Sequence, residues 1–142
     1  MLIDSLIEIC KGADATGAGA RLPTTSYCVD LGAATPGNAI DKELYLVIQV
    51  DAAFTRAAGA LNVVFTAETY TSADFSSART AIYTSASLAK ATLVAGYQVC
   101  AIRLPPVTQR YLTVVATPDA SADTGTFSAF LTTIPYQQPA KS

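Results

Sequence analysis

The sequence predicts an all-β protein, a single antiparallel β-sandwich of about eight strands. Three observations predict it. Apolar and polar residues alternate over short runs rich in β-branched and aromatic side chains, turn chemistry separates the runs at short intervals, and no long amphipathic stripe at helical period is present. At 142 residues the chain is one domain's worth, 1–142. Surface scaling for that size has about two thirds of the unfolded chain's surface buried on folding, enough for a core without metal or disulfide staples.

Residues 2–9 open the chain with a weak strand, LIDSLIEI, broken by Asp4 and Glu8. Residues 11–25, KGADATGAGARLPTT, are rich in Gly, Ala and Thr with one apolar anchor, Leu22, which suits a flexible loop. A second weak strand spans 26–31, and Thr35-Pro36-Gly37-Asn38 is a strong turn. In 44–51, Leu44, Leu46, Ile48 and Val50 share one face, with Tyr45, Val47, Gln49 and Asp51 opposite. Ala52–Ala60 has the alanines for a helical turn or two before the tight connection at Ala57-Ala58-Gly59. The next run sets Leu61, Val63, Phe65 and Ala67 against Asn62, Val64, Thr66 and Glu68, the pattern of a strand with one wet face.

A weak strand follows at 78–83, and Ala86–Ala95 again has helix-forming alanines. Tyr97 to Leu104 is strand-like and ends at Pro105-Pro106, neither of which can donate to a ladder. From Arg110 to Thr117, Tyr111, Thr113 and Val115 alternate with Leu112, Val114 and Ala116. Pro118-Asp119 through Gly125 is a loop, Thr126 to Ile134 the last strand, and 135–142 an extended tail.

Composition narrows the chemistry. Nine basic and eleven acidic side chains leave no electrostatic footprint for nucleic acid. The absence of histidine removes Ser-His, Cys-His and His-metal mechanisms together. Cys10, Cys28 and Cys100 are odd in number and lack a C-x-x-C pair, so neither a disulfide framework nor a zinc site is expected, and the chain reads as folding in a reducing cytosol. Cys28 and Cys100 read as small hydrophobes. The apolar start lacks the basic residue and cleavage site of a secretory signal, and no apolar run reaches the length of a membrane helix.

Possible active constellations are all incomplete. Ser87-Leu88-Ala89-Lys90 matches S-x-x-K without the S-D-N and K-T-G elements that accompany it in serine acyl-enzymes. Asp119 to Gly125 has the oxygens of a calcium loop, yet Thr124 and Phe130 stand where that loop needs glycine and glutamate; a solvated hairpin loop is expected. Thr16 to Arg21 lacks the third glycine, the buried strand and the helix of a phosphate loop. Glu68 and Asp74 are candidate paired carboxylates, and Tyr70 with Phe75 a candidate aromatic platform for a sugar, although packing is the favoured role for Phe75. No catalytic, metal or cofactor-binding residue is assigned; the reading is not an enzyme, with no cofactor.

The arm carries the candidate interaction residues Leu2, Ile3, Leu6 and Ile7, joined by Leu22 of the following loop. The arm is either the first strand of its own sandwich or a strand added to a neighbour's sheet edge, and the two are compatible.

The motifs, in order, are Met1-Leu2-Ile3-Asp4-Ser5, Val29-Asp30-Leu31-Gly32, Leu44-Tyr45-Leu46-Val47 and Thr71-Ser72-Ala73-Asp74-Phe75-Ser76-Ser77. Leu93-Val94-Ala95-Gly96-Tyr97, Arg110-Tyr111-Leu112 and Phe127-Ser128-Ala129 follow. In this order and spacing the chain resembles, over essentially its whole length, the small capsid cement (decoration) proteins of tailed bacteriophages, of the type on the head of the Bordetella short-tailed phage. The resemblance implies a jelly-roll sandwich on the outer surface of an HK97-type capsid. It implies the phage major capsid protein as partner, self-association with a dimer favoured over a trimer, no nucleic acid or membrane partner, and synthesis in the bacterial cytoplasm. It brings no catalytic residues. Residues 11–25 and 85–92 depart from the family and are the loops expected to meet the particular shell. The alternatives are another virion role, as a head-fibre base or tail component, and a carbohydrate-binding sandwich.

Overall fold

A computed structural model describes residues 8–14, 29–30, 45–71, 79–104 and 109–132. These residues form nine strands and no helix: β1 Glu8–Asp14, β2 Val29–Asp30, β3 Tyr45–Thr55, β4 Asn62–Tyr70, β5 Thr80–Thr84, β6 Leu88–Ala89, β7 Gln98–Arg103, β8 Tyr111–Pro118 and β9 Thr124–Thr132. Two antiparallel sheets result. The first has the order β1-β9-β3-β7; the second runs β2-β8-β4-β5, with β6 also on β4. The chain is an antiparallel β-sandwich.

Alternation makes the core. Leu46, Ile48 and Val50 of β3 with Phe127, Ala129 and Leu131 of β9 face Val63, Phe65 and Ala67 of β4 and Leu112, Val114 and Ala116 of β8; all of them are buried in one cluster. Each large side chain buried this way contributes on the order of 1.5–3 kcal/mol. Phe65, from the second sheet, sits between two rings of the first, edge-on to Phe54 at 6.0 Å and to Phe127 at 5.4 Å. Such T-shaped pairs place a ring's positive edge on its neighbour's negative face, so the sheets are held by geometry as well as by area.

The structure corrects four sequence expectations. Ala52–Thr55 continues β3 instead of turning helically, because Ala52 and Thr55 keep their ladder to Thr126 and Thr124 through two irregular steps. Tertiary pairing overrides alanine's helix propensity there. Ala86–Ala95 yields only the two-residue β6 and a turn, since the Lys90 N–H bonds Leu61 O and Leu93 is drawn into the core. Residues 11–14 of the expected loop are strand, because β1 runs Glu8–Asp14 and pairs with β9; residues 2–7 of the expected opening strand lie outside the described residues. Asp119 to Asp123 is not a hairpin loop, because β8 and β9 belong to different sheets. The turn at 35–38, the prolines at 105 and 106 and the tail at 135–142 lie outside the described residues.

The segment between β6 and β7 crosses from one sheet to the other. It is stitched to β3 as it passes: Phe54 N–H bonds Leu93 O at 3.0 Å, Gly96 N–H bonds Val50 O at 2.8 Å, and Val50 N–H bonds Tyr97 O at 2.8 Å. Gly96 holds a φ of 86°, a left-handed conformation costly for residues with a Cβ.

Candidate functional site

The face of the second sheet turned away from the core holds a buried carboxylate. On β4, Ala67 and Thr69 point inward, so Glu68 and Tyr70 project from the opposite side. Alternation there predicts solvent, yet Glu68 is only 2% exposed. Its charge is satisfied: Arg79 Nη1 donates to Oε1 at 2.9 Å and the Tyr70 hydroxyl donates to Oε2 at 2.8 Å. Thr113, its cross-strand neighbour on β8, is buried too. A carboxylate removed from water without donors would be strongly unfavourable, and these two bonds help make the position tenable. Arg79 itself remains 53% exposed. Arg110, in the bend that leads into β8, lies over the Tyr111 ring at 5.2 Å.

Tyr70 therefore does not serve as a sugar platform: its ring is buried and its hydroxyl is committed to Glu68. Its proposed companion Phe75, and Asp74, the proposed carboxylate partner of Glu68, lie outside the described residues.

At one end of the sandwich the loops are tied by polar side chains. Lys90 of the S-x-x-K match donates Nζ to Arg56 O at 2.9 Å and Gly59 O at 2.8 Å, fixing the β3–β4 turn. Arg56 Nη1 closes the same turn on Ala60 O at 3.0 Å. The would-be calcium carboxylates are spent similarly. Asp119 accepts from Asn62 N–H and Asn62 Nδ2, both at 2.9 Å, and Asp123 accepts from Ala57 N–H at 2.7 Å. Hydrogen bonding to the charged form, chiefly from the Asn62 backbone and side chain, holds the Asp119 carboxyl below its ordinary range. Among the described residues no group of three or more Cys, Asp or Glu side chains is placed to hold a metal ion. The glycine-rich Thr16 to Arg21 is outside the described residues.

Cys10 and Cys100 are buried in the core and neither is in a disulfide; Cys28 lies outside the described residues. Cys100 Sγ faces Leu46 O at 3.9 Å. Burial pushes its thiol up to about 11 against the opposing pull of hydrogen bonds from Tyr83 and Ile48, and burial beside it raises the Tyr83 phenol to about 12. Both groups are neutral at physiological pH, so Cys100 acts there as packing and not as a nucleophile.

The five sequence-derived interaction residues, Leu2, Ile3, Leu6, Ile7 and Leu22, lie outside the described residues, so the structure brings none of them to a site. Ile9, at the end of the same arm, is buried in the core of its own sandwich. The Glu68, Tyr70 and Arg79 cluster was missed by sequence reasoning. Its one signal was a Glu and a Tyr two apart on a strand, projecting to one side with an arginine at the head of the next strand.

No helix among the described residues is long and apolar enough to cross a membrane. No curated protein matches the chain. A family model, Bbp16, matches residues 13–131, most of the chain, and takes its name from a Bordetella phage protein. With that match spanning β2 to β8 entire and nearly all of β9, the chain belongs to the Bbp16 family.

Proposed function

We infer that this chain is a capsid cement (decoration) protein. It binds the outer surface of an HK97-type phage capsid as a homo-oligomer and bridges neighbouring capsid subunits, reinforcing the shell against internal DNA pressure. The observation that carries this reading is the Bbp16 match over residues 13–131, a phage family borne here on a two-sheet sandwich. The polar side chains that resembled catalytic or metal motifs tie loops together, which suits a protein that acts by adhering. It is not an enzyme and takes no cofactor.

The energetics favour such a role. A protein that binds only the assembled lattice stabilises it by RT ln(1+[L]/Kd), about 2.7 kcal/mol per site at a hundredfold excess over Kd. Many repeated sites multiply that term, and bridging two subunits raises effective concentration without stronger contacts.

Purified virions of the encoding phage provide the test. Quantitative mass spectrometry is expected to find this chain in a fixed ratio to the major capsid protein, in the head fraction after tails are removed. The purified chain is expected to bind expanded shells to saturation. Its absence from heads overturns the reading, and recovery with tails or fibres transfers it to another virion role.

A further inference from the structure

We draw no further inference here: the strongest candidate, the outward edge of β5 at Thr80, Ala81 and Thr84, where an uncharged strand ends the second sheet, carries nothing, because its register against β4 shifts between Ala67 and Glu68 and nothing in the structure shows what covers it.

Discussion

A Cβ placed on Gly125 falls 2.5 Å from Cδ1 of Phe54, with two further ring atoms at 2.8 Å. Gly125 is the second residue of β9, with a φ of 157°, and Phe54 the last but one of β3, the neighbouring strand. The glycine is where the backbone of one strand makes room for the aromatic of the next. Gly125→Ala is expected to destabilise the fold by about 1–3 kcal/mol through overpacking. Urea denaturation measures it. In the Phe54→Leu background, where the ring is gone, the cost of Gly125→Ala is expected to shrink, and additive effects of the two substitutions would refute the steric account.

Phe65 is the only described aromatic of the second sheet seen edge-on to two rings of the first. Phe65→Ala is expected to cost about 3–5 kcal/mol, because it leaves a cavity that both Phe54 and Phe127 line. Phe65→Leu, which keeps most of the volume, is expected to cost clearly less. The comparison is made from the midpoints of chemical denaturation at constant slope.

The Asp119 carboxyl is held below its ordinary range by Asn62, which sets a sign for the acid limb of stability. A carboxylate depressed in the folded state contributes its stabilisation in full above the unfolded value, near pH ~4. The contribution is lost as pH falls through the lower folded value, since the unfolded chain then binds more protons. Asp119→Asn is expected to leave a shallower fall in thermal midpoint between about pH 4 and pH 2. A slope identical to wild type would remove Asp119 from the account.

The Cys100 thiol, raised to about 11, gives the opposite sign at the alkaline end. A group whose folded value is raised stabilises fully below its unfolded value, near ~8.5 for cysteine, and that contribution disappears as pH climbs through the folded value. The wild type is therefore expected to lose stability on going from pH ~8.5 to ~11 more steeply than Cys100→Ala. Native protein at neutral pH is expected to leave Cys100 unalkylated by iodoacetamide, and urea to expose it, as peptide mass mapping reads directly. Shell binding is expected to survive thiol blocking of the native protein.

The sandwich was legible in the sequence wherever one face is apolar and the other polar. On β3 and β4 the predicted inward sets, Leu46, Ile48 and Val50 and then Leu61, Val63, Phe65 and Ala67, are the buried ones. Alternation misplaced the residues buried on the outer faces. Val47 pairs with Phe130 on the first sheet, and both are buried outside the core cluster. Glu68 fails for the same reason more sharply: a period of two sorts residues by polarity, and it has no means of knowing that Arg79 and Tyr70 will satisfy the acid. The alanine runs misled because helix propensity is local, whereas the ladder from Ala52 and Thr55 to β9 joins residues far apart in the chain. The Glu68, Tyr70 and Arg79 cluster was legible least, since the donors that satisfy a buried acid are set by the fold.

The crossing between β6 and β7 bears on mechanics. Its ends belong to opposite sheets while Leu93, Gly96 and Tyr97 hold on to a single strand, so prying the layers apart pulls on three backbone hydrogen bonds. Zippers fail tooth by tooth, but rivets share the strain.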